Sequence, residues 1–137
     1  MSDSLTFRNL EHAAGVEIEN EPSSSLELWY SSVRDKPLND LSEEDLCKAC
    51  RQTLYLDSVV PVSLARLATN PLAGEMYDGE LLAAVASVPP ELWANNASLK
   101  EQLRKLIQSL DIETDDADVN YAINILSAAI QTNDSKN

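Results

Sequence analysis

Three groupings in this chain have residue types that could do chemistry. Cys47-Lys48-Ala49-Cys50 is a C-x-x-C motif, the spacing of redox pairs and of half a zinc site. Redox use needs the first thiol at a helix N-terminus, where the dipole lowers its pKa. Here Ser42-Glu43-Glu44-Asp45 reads as a capping-box-like helix start a full turn earlier. Zinc would need two further ligands, and His12 is the one histidine. The two thiols are therefore expected as small residues on a buried helix face. His12, beside Glu11 and with no nucleophile to serve, is expected at the surface. The third grouping is Glu75, Asp78 and Glu80, where a carboxylate pair could do acid–base work in a small hydrolase or hold a hard cation. The spacing is not that of a calcium loop, and residues 111 to 118 lack the glycine such a loop needs. Asp78 is expected instead as the N-cap of a helix beginning Gly79-Glu80-Leu81, with Glu80 at its positive end. No catalytic residue, cofactor or metal site is assigned.

Composition narrows the functions further. The chain has 137 residues, 23 acids against 10 bases, a formal charge of −13 and 44% apolar residues. It is too apolar for a disordered acidic tail and too acidic to bind nucleic acid directly, since phosphate contacts demand a basic patch. The longest unbroken apolar run, Leu81 to Ala86, falls far short of the roughly 20 residues of a membrane span, so no membrane partner is expected. Met1-Ser2-Asp3-Ser4 opens no secretory signal, and two cysteines without a disulfide framework suit a reducing cytoplasm. The charge is uneven: residues 1 to 60 carry −7, residues 61 to 110 carry −1 and residues 111 to 137 carry −5. Glu11, Glu17, Glu19 and Glu21 mark the first acidic cluster, and Asp111, Glu113, Asp115, Asp116 and Asp118 mark the last. Such clusters arise as solvated surface and as favourable charge at helix starts. Together they also create a field that steers a basic partner.

The elements that must position these residues read as helices. Leu46, Ala49, Cys50 and Thr53 form one stripe after the Ser42 cap. Val60, Leu64, Leu67 and Ala68 form the next, in a helix that follows Asp57, tolerates Pro61 in its first turn and stops at Asn70-Pro71. Leu81, Leu82, Val85 and Val88 precede Pro89-Pro90, and a short turn containing Leu92 and Trp93 leads to Asn96. Leu99, Leu103, Leu106, Ile107 and Leu110 are the cleanest stripe, with Lys100, Arg104 and Lys105 on the polar face. Ser23 to Arg34 places Leu26, Trp29, Tyr30 and Val33 together, and a last helix capped by Thr114 or Asp115 runs through Val119, Ala122, Leu126, Ala129 and Ile130. A short helix over Leu5 to Ala14 precedes a loop at 14 to 22. Trp29 and Trp93 are expected in the core and Tyr77 in solvent. No segment alternates with period two. The expected object is all-α, a single compact domain of six or seven short helices spanning residues 1 to 137.

Two ordered stretches carry a resemblance. Lys36-Pro37-Leu38-Asn39-Asp40-Leu41-Ser42-Glu43-Glu44-Asp45-Leu46 is followed by Val60-Pro61-Val62-Ser63-Leu64, and then by Asn70-Pro71-Leu72 through Gly74-Glu75-Met76-Tyr77-Asp78-Gly79-Glu80-Leu81-Leu82. With Pro90-Glu91-Leu92-Trp93 after them, these stretches resemble one family of immunity proteins from bacterial contact-dependent growth inhibition systems. The resemblance covers about residues 26 to 110 and leaves 111 to 137 as an acidic helical extension. It implies a small cytoplasmic protein, not an enzyme, that binds and blocks the toxin domain delivered by a neighbouring cell. Toxins of such systems are often nucleases, whose substrate groove must be basic, so a −13 protein is a plausible substitute for the nucleic acid.

One position departs from the family pattern. Where members tend to place a glycine, this chain has Tyr55, which takes a left-handed conformation only at a cost, so that turn is expected to differ. Toxin contact is expected at two acidic places: Glu75, Tyr77, Asp78 and Glu80, and the run Asp111, Glu113, Asp115, Asp116 and Asp118. The alternative function is an acidic helical adaptor for some other basic protein, and whether the two acidic places meet on one face is left to the fold.

Overall fold

The first three helices each begin on a reciprocal cap. Thr6 with Asn9, Ser24 with Glu27 and Ser42 with Asp45 pair a hydroxyl on the N3 amide with an N3 side chain on the cap amide. They start α1 (Phe7–Ala14), α2 (Ser25–Val33) and α3 (Glu43–Arg51), with a 3-10 turn, Leu38–Asp40, between the last two. The chain continues as α4 (Leu56–Thr69), α5 (Glu80–Ala86), α6 (Pro90–Asn95), α7 (Ala97–Ser109) and α8 (Ala117–Thr132). This computed structural model describes residues 5–16, 23–74, 77–110 and 116–132. Among them there is no strand, and the fold is all-α as expected. The segment expected as a short turn around Leu92 and Trp93 is the helix α6, started by Pro90 at its first position, where proline's fixed φ is pre-organised.

The core is assembled around α5. Leu81, Leu82, Ala84 and Val85 are fully buried, and the helix packs against α3 on one side and α8 on another. Helices α4 and α8 also pack on α7, bringing Leu64, Leu67, Leu99, Leu103 and Leu126 into the same buried cluster. Cys47 and Cys50 lie in it as free, buried thiols, the place expected for them. Burial pushes the Cys47 thiol up to about 12 and the Cys50 thiol up to about 11, so both stay protonated at neutral pH and neither is an activated nucleophile.

Several side chains depart from their expected places. Helix α4 begins at Leu56, earlier than expected, so Pro61 sits in its second turn and removes the N–H that would reach the Asp57 carbonyl. Leu26, expected on the buried face of α2, is 43% exposed, because only Trp29, Tyr30 and Val33 of that helix pack on the core. Trp29 is half-buried rather than enclosed, since its indole N–H donates to Asp45 Oδ1 at 2.9 Å at the edge of α3. Lys100, expected on the polar face of α7, is buried.

The turn between α3 and α4 contains two non-glycine residues in the left-handed region, Thr53 (φ 54) and Tyr55 (φ 45). Tyr55 therefore adopts the left-handed conformation despite the cost of its Cβ. Its carbonyl accepts from the amides of Ser58 and Val59 at 2.9 Å each, and its ring packs 6.0 Å from that of Phe7, which together offset the cost. Thr53 lies just past the end of α3, where Leu54 N–H reaches back to the Ala49 carbonyl at 3.0 Å. That is the position at which a helix end usually has glycine; the β-branched Thr53 side chain is exposed there, its hydroxyl donating to the adjacent Gln52 carbonyl at 2.6 Å.

Glu11, expected among solvated acids, is 1% exposed. Arg34 Nε donates to both its oxygens, at 2.9 and 2.7 Å, Arg34 Nη2 donates to Oε1, and the Tyr30 hydroxyl donates to Oε2. These bonds tie α1 to α2, and beside them Phe7 enters the core with its ring 5.3 Å from Tyr30.

Two stability predictions follow from these contacts. The Arg34 hydrogen bonds hold the Glu11 carboxyl below its usual range, so its contribution is complete above the unfolded value of about 4.3 and is lost as pH falls through the lower folded value. Glu11→Gln is expected to cost about 3 kcal/mol in urea denaturation at pH 7, with the gap to the parent narrowing at pH 3. Thr53→Gly is expected to stabilise the protein by about 1 kcal/mol, because the substitution relieves a Cβ clash worth roughly 1–2 kcal/mol; an unchanged or lower midpoint would show that the turn is not strained.

Candidate functional site

The loop before α5 is built by backbone pairing around a glycine. Gly79 N–H donates to the Leu72 carbonyl at 2.9 Å, and Leu81 N–H to the Ala73 carbonyl at 3.0 Å. Gly79, with φ 85, is the N-cap of α5, and no side chain caps it. Asp78, expected in that role, is one residue too early and stands exposed. Glu80, the first residue of the helix, is 3% exposed, with Oε2 3.6 Å from Arg51 Nη1. Arg51 Nη2 also lies 3.4 Å from the Tyr77 hydroxyl and donates to it. One guanidinium thus holds a buried carboxylate and orients an exposed ring.

Helix α8 is started by Asp116, whose Oδ1 accepts from the amides of Asp118 at 2.9 Å and Val119 at 3.3 Å. Asp116 supplies the cap expected from Thr114 or Asp115, both of which lie outside the described residues. Val119, Ala122, Leu126 and Ile130 are buried as the stripe predicts. Asp118, Tyr121 and Ile125, at three- and four-residue spacing, then fall on the adjoining face.

That face and α5 enclose an open groove of about 370 Å³. Buried and half-buried alanines, Ala83 and Ala86 from α5 with Ala122 from α8, form its floor, and Ser87, Ile125 and the exposed Tyr77, Asp118 and Tyr121 complete its lining. Contact between the two sides is close: a Cβ on Gly79 would stand 2.7 Å from Val119 Cγ2. Tyr77 and Asp118, from the two separate acidic stretches, therefore meet at one groove. The other expected contact residues have different places. Asp78 is exposed on the loop beside it, Glu80 faces inward and Asp116 is engaged as a cap. Glu75, Asp111, Glu113 and Asp115 lie outside the described residues, as do Glu17, Glu19 and Glu21 of the first cluster. Tyr121, 68% exposed, is a groove residue that sequence reasoning missed; the signal was an aromatic just off the buried stripe of α8.

The other groups with chemical potential are dispersed. His12 is exposed on α1, and among the described residues no three His, Cys, Asp or Glu converge as a metal site would require. Among the same residues no helix is long and apolar enough to cross a membrane.

A family model described as CDI immunity proteins matches residues 12–103 of the chain, well over half of it. No curated protein matches the chain significantly. The match includes Tyr77 and all of α5 and ends before α8, so one wall of the groove lies inside it and the other outside.

Gly79→Ala is expected to destabilise the protein by about 3 kcal/mol, through left-handed strain and the clash with Val119. Adding Val119→Ala removes the clash and not the strain, so denaturation of the double variant should show less loss than the two single losses together.

Proposed function

Because the chain belongs to the CDI immunity protein family, whose members neutralise a cognate toxin, we propose that it does so as a non-enzymatic inhibitor that docks through the acidic surface around the α5–α8 groove. The observation that carries this reading is the meeting of Tyr77 and Asp118 at that groove. Their segments lie far apart in the chain, and each belongs to an acidic stretch. Asp78 adds a further exposed carboxylate on the same loop, and in the sequence Asp111, Glu113 and Asp115 precede Asp116.

A formal charge of −13 suits a basic partner, and a nuclease toxin is the class that must be basic where it binds its substrate. An acidic protein captures such a toxin quickly because the field acts before contact, within a Debye length of about 8 Å at physiological salt. The inhibitor acts in the cytoplasm, where a delivered nuclease meets its nucleic acid. It needs no chemistry of its own, because occupying the toxin is sufficient.

The test is to mix the protein with the carboxy-terminal toxin domain encoded immediately upstream. A stable complex and protection of cells are expected, and the absence of both would overturn the reading. For the acidic surface itself, Asp78→Lys with Asp118→Lys is expected to slow association roughly tenfold at low salt and to flatten its salt dependence. An on-rate equal to the parent's by stopped-flow would place the steering charge elsewhere.

A further inference from the structure

The geometry points to the α5–α8 groove as a socket for a protruding arginine or lysine of the toxin, its aliphatic stem between Tyr77 and Tyr121 and its charged head on Asp118; this rests on the toxin-binding reading above. Tyr77 and Tyr121 are 49% and 68% exposed, large aromatic side chains, one from the loop before α5 and one from α8, that line the same depression. Aromatic faces attract cations, and exposed tyrosines of this kind are enriched among the few residues that dominate binding energy. The floor of Ala83, Ala86 and Ala122 offers apolar surface and no bulk, which suits a methylene stem.

The charge of the groove selects the head group. Among the described lining residues Asp118 is the one charged side chain, and it is acidic. An acidic ligand or nucleic acid would be repelled by Asp118 there, and a second copy of this chain would bring the same −13 charge. A cation on an aliphatic stem satisfies both the carboxylate and the apolar floor. The Tyr77 hydroxyl already accepts from Arg51 Nη2 at 3.4 Å, which limits the ring's rotamer freedom before binding. The Asp118 and Tyr121 wall belongs to α8, beyond the family match at residue 103. The α5 wall then supplies a seat common to the match, and the α8 wall the contacts peculiar to this chain's own toxin.

The experiment is titration of the purified upstream toxin domain by calorimetry with the parent protein, Tyr121→Ala, Tyr121→Phe, Asp118→Asn and, as a control on another exposed apolar residue, Leu28→Ala, which is 57% exposed on α2. Tyr121→Ala is expected to raise Kd at least about 20-fold and Asp118→Asn about fivefold, with Tyr121→Phe and Leu28→Ala within about threefold of the parent. In a double-mutant cycle, one arginine or lysine of the toxin changed to Met should lose most of its effect against Asp118→Asn. Unchanged folding by circular dichroism is expected, since both side chains lie outside the core. If the parent binds tightly and Tyr121→Ala and Asp118→Asn bind equally well, the socket is overturned and toxin neutralisation stands. If the parent does not bind the domain, both fall.

Discussion

The carboxylate of Glu80 sits inside the protein at the first turn of α5, and a buried charge of that kind persists only when a partner of opposite sign is held against it. Arg51 supplies such a charge, 3.6 Å away, so the last residue of α3 and the first of α5 are placed relative to one another. The same guanidinium reaches the Tyr77 hydroxyl, which orients the ring that forms one side of the groove. From that fixed start α5 runs through the centre of the core, and Gly79 brings its entry loop against Val119 at the start of α8. Groove shape follows from this chain of contacts: a side chain at position 79 would push the two walls apart.

The buried acids change what the net charge means. Glu11 and Glu80 contribute to the −13, yet each is enclosed and bound to an arginine, Arg34 and Arg51. They hold α1 to α2 and α3 to α5. Asp45 and Asp116 are likewise engaged in starting helices. The carboxylates left to project near the groove are fewer, Asp78 and Asp118 among the described residues, and they stand beside exposed tyrosines. A binding surface of two rings, an apolar floor and a few acids is more selective than a uniformly acidic face, because it rewards shape and stem length as well as charge.

Helices were legible where local chemistry decides them. The Ser42 and Asp45 cap, the stripe from Leu99 to Leu106 and the buried face of α8 depend on residues three or four apart, and each was found where the pattern put it. Boundaries set by backbone geometry were less legible. Position 53, rather than 55 alone, carries the left-handed turn after α3, and threonine there gives no sign of it. Asp78 and Gly79 compete for the cap of α5, and the contact of position 79 with Val119 favours the residue without a Cβ.

By itself the sequence determined the helical class, the identities of most core residues and the acidic balance, because these rest on composition and on short-range spacing; the family came from the resemblance of its ordered motifs and the match over residues 12–103. Tertiary structure alone decided which acids are inside, and that Tyr77 and Asp118 share a groove with Tyr121. The physical reason is that burial of a carboxylate depends on whether an arginine distant in sequence arrives beside it, and a groove depends on how closely two backbones approach. Neither quantity is a property of any short stretch of chain.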